Sequence, residues 1–401
     1  MLTEAQKSRG RKITIFATFL AFMGIGIVDP LLPIIAEQLG ANHAQVEMLF
    51  TAYIFTMAIM MLPVGMLVSK VGDKRMMVMG MAIVTVFALL CGFSNSILEL
   101  SLFRAGWGLG NSMFFATAMT LLISLSPTVS GAVGAYEAAI GLGMAGGPLV
   151  GGLLSSSWRY PFMMTGVLIF IAFILVLSQV KAPENHHTGA KRKAAGFKEL
   201  AHLLSYKPFL RGAIAGMLYN YGFFVILAYS PLVIKLSAIQ LGLVFFGWGL
   251  LLAFGSAKLA HALETKYTPE QILKFSLFGF AIIIFLLFFL HNTAIQIALV
   301  VLSGLLCGLN NALFTSHVMG VSPYERGITS GVYNFVRWLG AAIAPLLSGV
   351  IGGAISPFAP YGVAGILLVI AGGLMFIRVK HTLSSHAAQM QAADSSAGAT
   401  V

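Results

Sequence analysis

Four ionisable residues stand inside long apolar runs: Asp29, Arg104, Glu137 and Arg337. A charge at the centre of a lipid-embedded helix costs roughly 2.5–3.5 kcal/mol, so each needs a chemical reason to be there. Asp29 lies seven residues from the outer end of its run (13–36) and Arg104 about six from the outer end of its own (98–123). At about 1.5 Å per residue, both sit about 10 Å deep. They can pair if the two segments are neighbours. That pairing reads either as a proton-binding carboxylate poised by an arginine or as a fixed ion pair that sets helix register. Glu137 has no cation near it in sequence. It reads as a proton carrier, as a partner for a cationic substrate, or as a glutamate facing water at a membrane mouth. Arg337 can take an anionic group, reach Glu137, or hydrogen-bond helix carbonyls.

Polar and aromatic residues gather near these charges. Trp107 follows Arg104, with Phe114 and Phe115 two turns on. Tyr219, Asn220 and Phe223 share one run, Trp248 sits in the next, and Asn310 and Asn311 interrupt a third. Tyr333 precedes Arg337 by one turn. An amide in a membrane segment needs partners, and a cavity face supplies them. Rings together with the 20 methionines suit a soft wall for flat or lipophilic compounds, although lipid-facing and core packing accounts for most such rings. These ten residues, Trp107, Phe115, Tyr219, Asn220, Phe223, Trp248, Asn310, Asn311, Tyr333 and Arg337, are the candidate substrate set.

A stretch from Ser130 to Gly152 organises the rest. Gly143, Gly147 and Gly151 recur every four residues and line one face, to which Gly152 is expected to add. Small residues let two helix backbones approach closely in lipid, and Pro148 removes a backbone donor and bends the helix. The stretch reads as a gate between moving parts or as a tight static packing.

The elements that must hold these residues follow from composition. The 401-residue chain is 58% hydrophobic and 9% charged, against roughly 25% charged in a soluble domain. Only a polytopic helical membrane protein uses so much apolar chain. Twelve spans are expected, at 13–36, 45–69, 76–94, 98–123, 130–155, 160–180, 209–234, 238–260, 270–290, 294–318, 327–353 and 358–380. They form an N-terminal six-helix bundle (1–180), a basic linker (181–208), a second six-helix bundle (209–380) and a disordered tail (381–401). The run from Ile13 to Ala36 is too long for a signal peptide and contains Asp29-Pro30, so it reads as an uncleaved first span. A 197-residue shift superposes span 5 on span 11: Gly134 meets Gly331, Tyr136 meets Tyr333, Gly143 meets Gly340, Pro148 meets Pro345 and Gly152 meets Gly349. Two such halves are the layout of an alternating-access carrier, with its site between them.

Of the 24 Lys and Arg, Arg159 and Lys235 alone fall on the side opposite the termini, and Arg104 and Arg337 fall within spans. Positive charge stays inside, so both termini are expected in the cytoplasm, with the chain in the cell membrane. The +11 net charge is spread over short loops and ends rather than a folded polar face, which excludes a nucleic-acid role. Cys91 and Cys307 lie in apolar runs and frame neither disulfide nor metal. His186-His187 in the linker is too sparse a set to ligate a metal. No Ser/His/Asp set, metal cluster or phosphate loop is present, so an enzyme, a metal and a cofactor are not expected.

Over residues 13–380 the sequence resembles the major facilitator superfamily, and within it the twelve-span drug/proton antiporters. The resemblance rests on Phe22 to Gly40 with Pro30 and Pro33, on the loop motif Gly65 to Arg75 (Gly65, Gly72, Asp73, Lys74, Arg75), on Phe103 to Asn111 with Arg104, Gly108 and Gly110, and on Gly143, Gly147, Pro148, Gly151 and Gly152. Ser-Trp-Arg at 157–159 also fits. Ser69 stands where the loop motif carries an acid, Trp107 stands where the span-4 motif carries Gln, and the matching loop of the second half, Gly255 to Thr265, is degenerate. The resemblance implies a monomer that exchanges protons for small lipophilic or cationic compounds by a rocker switch. Arg104, Asp29 and Glu137 would handle the proton, and the span-5 glycines would form the gate. The alternatives are a dedicated exporter or importer of one metabolite, and a lipid or glycolipid flippase.

Overall fold

A computed structural model describes residues 2–181, 197–324, 326–377 and 379; within its helices a few side chains, Ser69 and Glu137 among them, lie outside the description. The linker histidines and the tail after residue 380 fall outside it too. The described chain is helical, without strands. The N-terminal half comprises α1 (Glu4–Gly26), α2 (Leu32–Leu39), α3 (His43–Val71), α4 (Asp73–Phe93), α5 (Ile97–Ser124), α6 (Val129–Leu153) and α7 (Arg159–Gln179). The short α8 (Phe197–Ser205) lies in what the sequence suggested was plain linker. The second half comprises α9 (Lys207–Phe224), α10 (Ser230–Val233), α11 (Ala238–Phe254), α12 (Ala260–Glu264), α13 (Pro269–Phe289), α14 (Thr293–Val321), α15 (Arg326–Ala354) and α16 (Ala359–Phe376).

Among the described residues, ten segments are long and apolar enough to cross a bilayer. Helices α5 and α6, of 28 and 25 residues, are not among these ten. At about 1.5 Å per residue both exceed a ~30 Å hydrocarbon core. They are also the two that carry the Arg104–Asn111 stretch and the glycine stripe.

Local sequence sets the helix starts. The pairs Thr3/Gln6, Asn42/Gln45, Ser237/Gln240 and Thr268/Gln271 each form a reciprocal capping box, in which side chain and backbone satisfy each other's orphan donors. The first of these carries α1 nine residues farther toward the N-terminus than hydropathy suggested. Gly72 alone joins α3 to α4; its φ of +88° is a region that L side chains avoid.

The halves repeat in space. In the first, α1 packs on α6, α3 on α5 and α4 on α7; in the second, α9 packs on α15, α11 on α14 and α13 on α16. The first helix of each half breaks at the corresponding place. Pro30 and Pro33 interrupt the ladder between α1 and α2, leaving a 3₁₀ turn at Asp29–Leu31. A π turn at Val225–Tyr229 separates α9 from α10. The halves meet along two seams, α3 with α15 and α6 with α11.

The glycines show how close those seams are. A Cβ at Gly152 would stand 2.6 Å from the Ala238 carbonyl oxygen, and one at Gly349 would stand 2.6 Å from the Ala44 Cα. These two glycines are related by the 197-residue shift, and each presses on the first turn of the opposite half's second span. Deeper in the same seams, a Cβ at Gly242 would meet the Pro148 carbonyl at 2.6 Å, and the Thr51 hydroxyl donates to the Ala342 carbonyl at 2.9 Å. All these contacts lie from mid-membrane to the end opposite the termini, here called the far end. The far end is therefore closed.

At the terminal end of the second half, Arg211 pairs with Glu270 at 3.1 Å and donates to the Ile377 carbonyl. Lys274 lies 3.5 Å from the same carboxylate. This cluster ties α9, α13 and α16 together.

Candidate functional site

The break between α1 and α2 places Asp29 in the bundle interior, where it is fully buried. Pro30 cannot donate, so the chain leaves the α-helical ladder there and opens a turn. Neither oxygen of Asp29 has a hydrogen-bond partner among the described residues. The glycines of α6 bring the neighbouring wall close. A Cβ at Gly26 would meet the Pro148 ring at 3.0 Å and the Asp29 carboxylate at 3.5 Å.

Arg104 on α5 is also fully buried. The sequence allowed an ion pair with Asp29, but the structure holds the guanidinium differently. Its Nη1 donates to the Gly24 carbonyl at 3.4 Å, and its Cζ lies 4.4 Å from the Tyr53 ring centroid and 5.0 Å from that of Trp107. Two rings and one carbonyl thus take the place of a carboxylate, leaving Nε and Nη2 without acceptors among the described residues. Asn111, two turns along α5, donates to the Tyr53 hydroxyl at 2.5 Å and fixes that ring under the arginine. Close packing makes this possible: a Cβ at Gly24 would strike the Trp107 ring at 2.7 Å. Arg104 and Asp29 are close enough to act on one another electrostatically.

A second buried carboxylate stands beside them. Glu47, on the second turn of α3, is fully buried, with both oxygens unpartnered among the described residues. Sequence reading passed over it, because a glutamate four residues after a helix start looks like an interfacial residue. The Glu137 side chain lies outside the described residues.

The ten candidate substrate residues fall into separate clusters. Trp107 is fully buried against Tyr53 and Phe162. Phe115 is half-buried and stacks on Phe22 at 4.5 Å. In the second half, Tyr219 is fully buried and donates to the Cys307 carbonyl, while Phe223 packs 5.3 Å from Trp248. Asn310 is buried and accepts from Ser276; Asn220 donates back to the Gly216 carbonyl of its own helix. Trp107, Tyr219, Trp248 and Asn310 are therefore buried in packed clusters. Arg337 is half-buried, donates to the Asn311 carbonyl oxygen at 3.1 Å, and lies over the Tyr333 and Trp338 rings at 5.6 and 5.2 Å. Of the roles open to Arg337, the structure shows an amide partner and two rings.

The glycine stripe divides between two faces. Gly143, Gly147 and Gly151 press on α1: a Cβ at Gly143 would stand 2.6 Å from the Phe19 carbonyl. Gly152 faces α11 instead, correcting the single-face expectation, because one residue turns a helix by about 100°. Helix α6 is thus wedged between its own half and the other, and it runs unbroken through Pro148.

Residues 14–345 match the Major Facilitator Superfamily. The chain belongs to this superfamily of transporters. It is 41% identical over 373 residues to the multidrug efflux protein YfmO of Bacillus subtilis (strain 168), spanning 91% of this chain and 92% of that one. It is 24% identical over 343 residues to the quinolone resistance protein NorA of Staphylococcus aureus, covering 83% and 87% of the two chains. A crystal structure of a bacterial homologue of the human lysosomal transporter Spinster, inward-facing and unoccupied, superposes with a TM-score of 0.76 at 16% identity. It covers 94% of this chain and 97% of that one, and it shows the same fold. The superfamily assignment and the helical, strand-free membrane fold of the described residues agree with the sequence reading, which expected twelve spans where ten meet the length and hydropathy of a crossing helix.

Proposed function

We propose that this transporter exports small lipophilic or cationic compounds from the cell in exchange for protons, by alternating access between its two halves. The observation that carries the reading is Asp29. A fully buried carboxylate without a hydrogen-bond partner among the described residues, in a helix break beside a buried arginine, is a functional group by default in a membrane segment. The likeness to YfmO and NorA, whose names speak of multidrug efflux and quinolone resistance, supports the choice of compounds.

In this reading Asp29 takes a proton when the far end is open to water and yields it when the terminal end is open. Arg104 stands ready to stabilise the carboxylate once the proton leaves; Tyr53, Trp107 and Gly24 hold it at that station without neutralising it. Glu137 on α6 is a second candidate for the proton. Phe115, Arg337, Asn311 and Tyr333 are the substrate-contacting residues, since they keep some exposure or bracket the half-buried arginine. The glycines of α6 let the seam with α11 open and close. The loop residues Gly65, Asp73, Lys74 and Arg75 flank the turn at Gly72. The chain works as a monomer in the cell membrane with both termini in the cytoplasm, and its halves divide near the linker 181–208.

The test uses inverted membrane vesicles with an acid interior and a pH-sensitive dye. Addition of ethidium should release protons from vesicles carrying the protein and not from vesicles lacking it. No release with ethidium or with any of several unrelated lipophilic cations would overturn the multidrug reading.

A further inference from the structure

We propose that Glu47 is a second proton site of the transporter, and that its protonation locks the far end shut. The inference rests on the proton-coupled reading above and adds to it a residue, a location and a gate.

Glu47 stands where the two halves close on each other. It is one turn along α3 from His43, and α3 forms one of the two seams. The register of that seam is fixed at two points, Ala44 against Gly349 and Thr51 against Ala342, and Glu47 lies between them. The π turn of the second half delivers Tyr229 to the same spot. Its ring lies 6.4 Å from His43 in an edge-on arrangement. From the first half, Asp29 interacts with Glu47 across the break in the first span. The far-end seal is therefore built around two carboxylates, one belonging to the break in the first span and one to the second.

Among the described residues, no cation faces Glu47. On its own helix the nearest titratable group is His43; from the 3₁₀ turn it meets Asp29, and from the π turn Tyr229. Helix α5 offers Arg104, which is committed to Gly24, Tyr53 and Trp107, and Glu99, which is exposed. Glu37 of α2 is exposed as well. The seam register puts Arg337 of α15 two to three turns deeper, where it pairs with Asn311. The terminal-end ionisable groups of α4 are farther still. A carboxylate sealed from water without a donor or counter-ion is strongly disfavoured as an anion. The closed far end thus holds Glu47 as the neutral acid. When the halves part at this end, water reaches the group, the proton passes to it, and the resulting anion resists resealing. Uptake of a proton from the far side restores the neutral acid and lets the seam close.

The test uses the full-length protein in lipid nanodiscs, with no substrate added. A cysteine placed at Ala44, against Gly349 in the seam, is alkylated with an impermeant maleimide; the native Cys91 and Cys307 are buried. Labelling, taken relative to the same cysteine in unfolded protein at each pH so that thiolate ionisation cancels, should rise about tenfold between acid and alkaline buffer. Over the same pH range the infrared carbonyl band of a protonated carboxylic acid should fade. In Glu47→Gln, the neutral mimic, labelling should stay low at every pH and that component of the band should be missing. Glu47→Asp should restore a pH-dependent response. Equal pH-dependent labelling in wild type and Glu47→Gln, or an unchanged carboxylic-acid band, would overturn the proposal. Labelling that does not change with pH in the wild type would overturn it too. Because no transported compound enters the experiment, failure of the drug-exchange reading shows separately, as absent proton release with ethidium.

Discussion

Replacing Gly152 with alanine should open the far end. The added Cβ would stand 2.6 Å from the Ala238 carbonyl oxygen and 3.2 Å from the Cα atoms of Gly242 and Ile239. Every one of these neighbours is backbone, so no side chain can swing aside. Ordinary contact begins near 3.4 Å, so α6 and α11 must separate by about 0.8 Å at this point. Overpacking of this kind costs about 1–3 kcal/mol. The cost falls on the far-closed conformation alone, because parted helices leave room for a methyl group. A bias of about 1–3 kcal/mol shifts a two-state equilibrium about 5- to 150-fold. Alkylation of a cysteine at Ala44 should accelerate by a factor in that range, and steady-state efflux should slow because resealing becomes uphill. Gly353→Ala is the matched control, since a Cβ there would meet nothing within 4 Å. It should leave labelling unchanged. If Gly152→Ala also leaves it unchanged, the α6–α11 seam is not the moving contact and the reasoning fails.

Other expectations follow from the same contacts. Arg104→Lys should reduce transport nearly as much as Arg104→Ala, because a point charge reproduces neither the stacking over Tyr53 and Trp107 nor the planar reach to Gly24; full activity in the lysine variant would assign the site to charge alone. Thr51→Val removes the hydroxyl that bridges the halves to the Ala342 carbonyl. A hydrogen bond contributes about 0.5–1.5 kcal/mol, so far-end labelling should rise a few-fold, and rates equal to wild type would show the bond to be incidental.

Much of the fold was legible in the sequence. Apolar runs give helices in lipid, and the 197-residue match of Gly152 to Gly349 and of Pro148 to Pro345 anticipated two halves whose equivalent glycines do equivalent work. Asp29 and Arg104 were legible because an ionisable residue is conspicuous among apolar ones. Glu47 was not, because its burial comes from Tyr229 and α15 in the other half, nearly two hundred residues or more away in sequence. Near a capped helix start the local signal is that of a water-facing glutamate. The aromatic residues are ambiguous for a related reason. In lipid, a ring in a bundle core and a ring on a cavity wall look alike in composition and spacing, so Trp107, Tyr219 and Trp248 could not be told from Phe115. Gly152 was assigned to the wrong face because a single residue step changes which neighbour a helix presents to.

The central claim is that Asp29 couples proton movement to transport. It is tested most directly by purified protein in liposomes, with ethidium flux driven only by an imposed pH gradient. The account predicts gradient-driven flux in the wild type. It predicts none in Asp29→Asn, with that variant still folded and still exchanging ethidium in the absence of a gradient. Gradient-driven flux in Asp29→Asn equal to the wild type would contradict it.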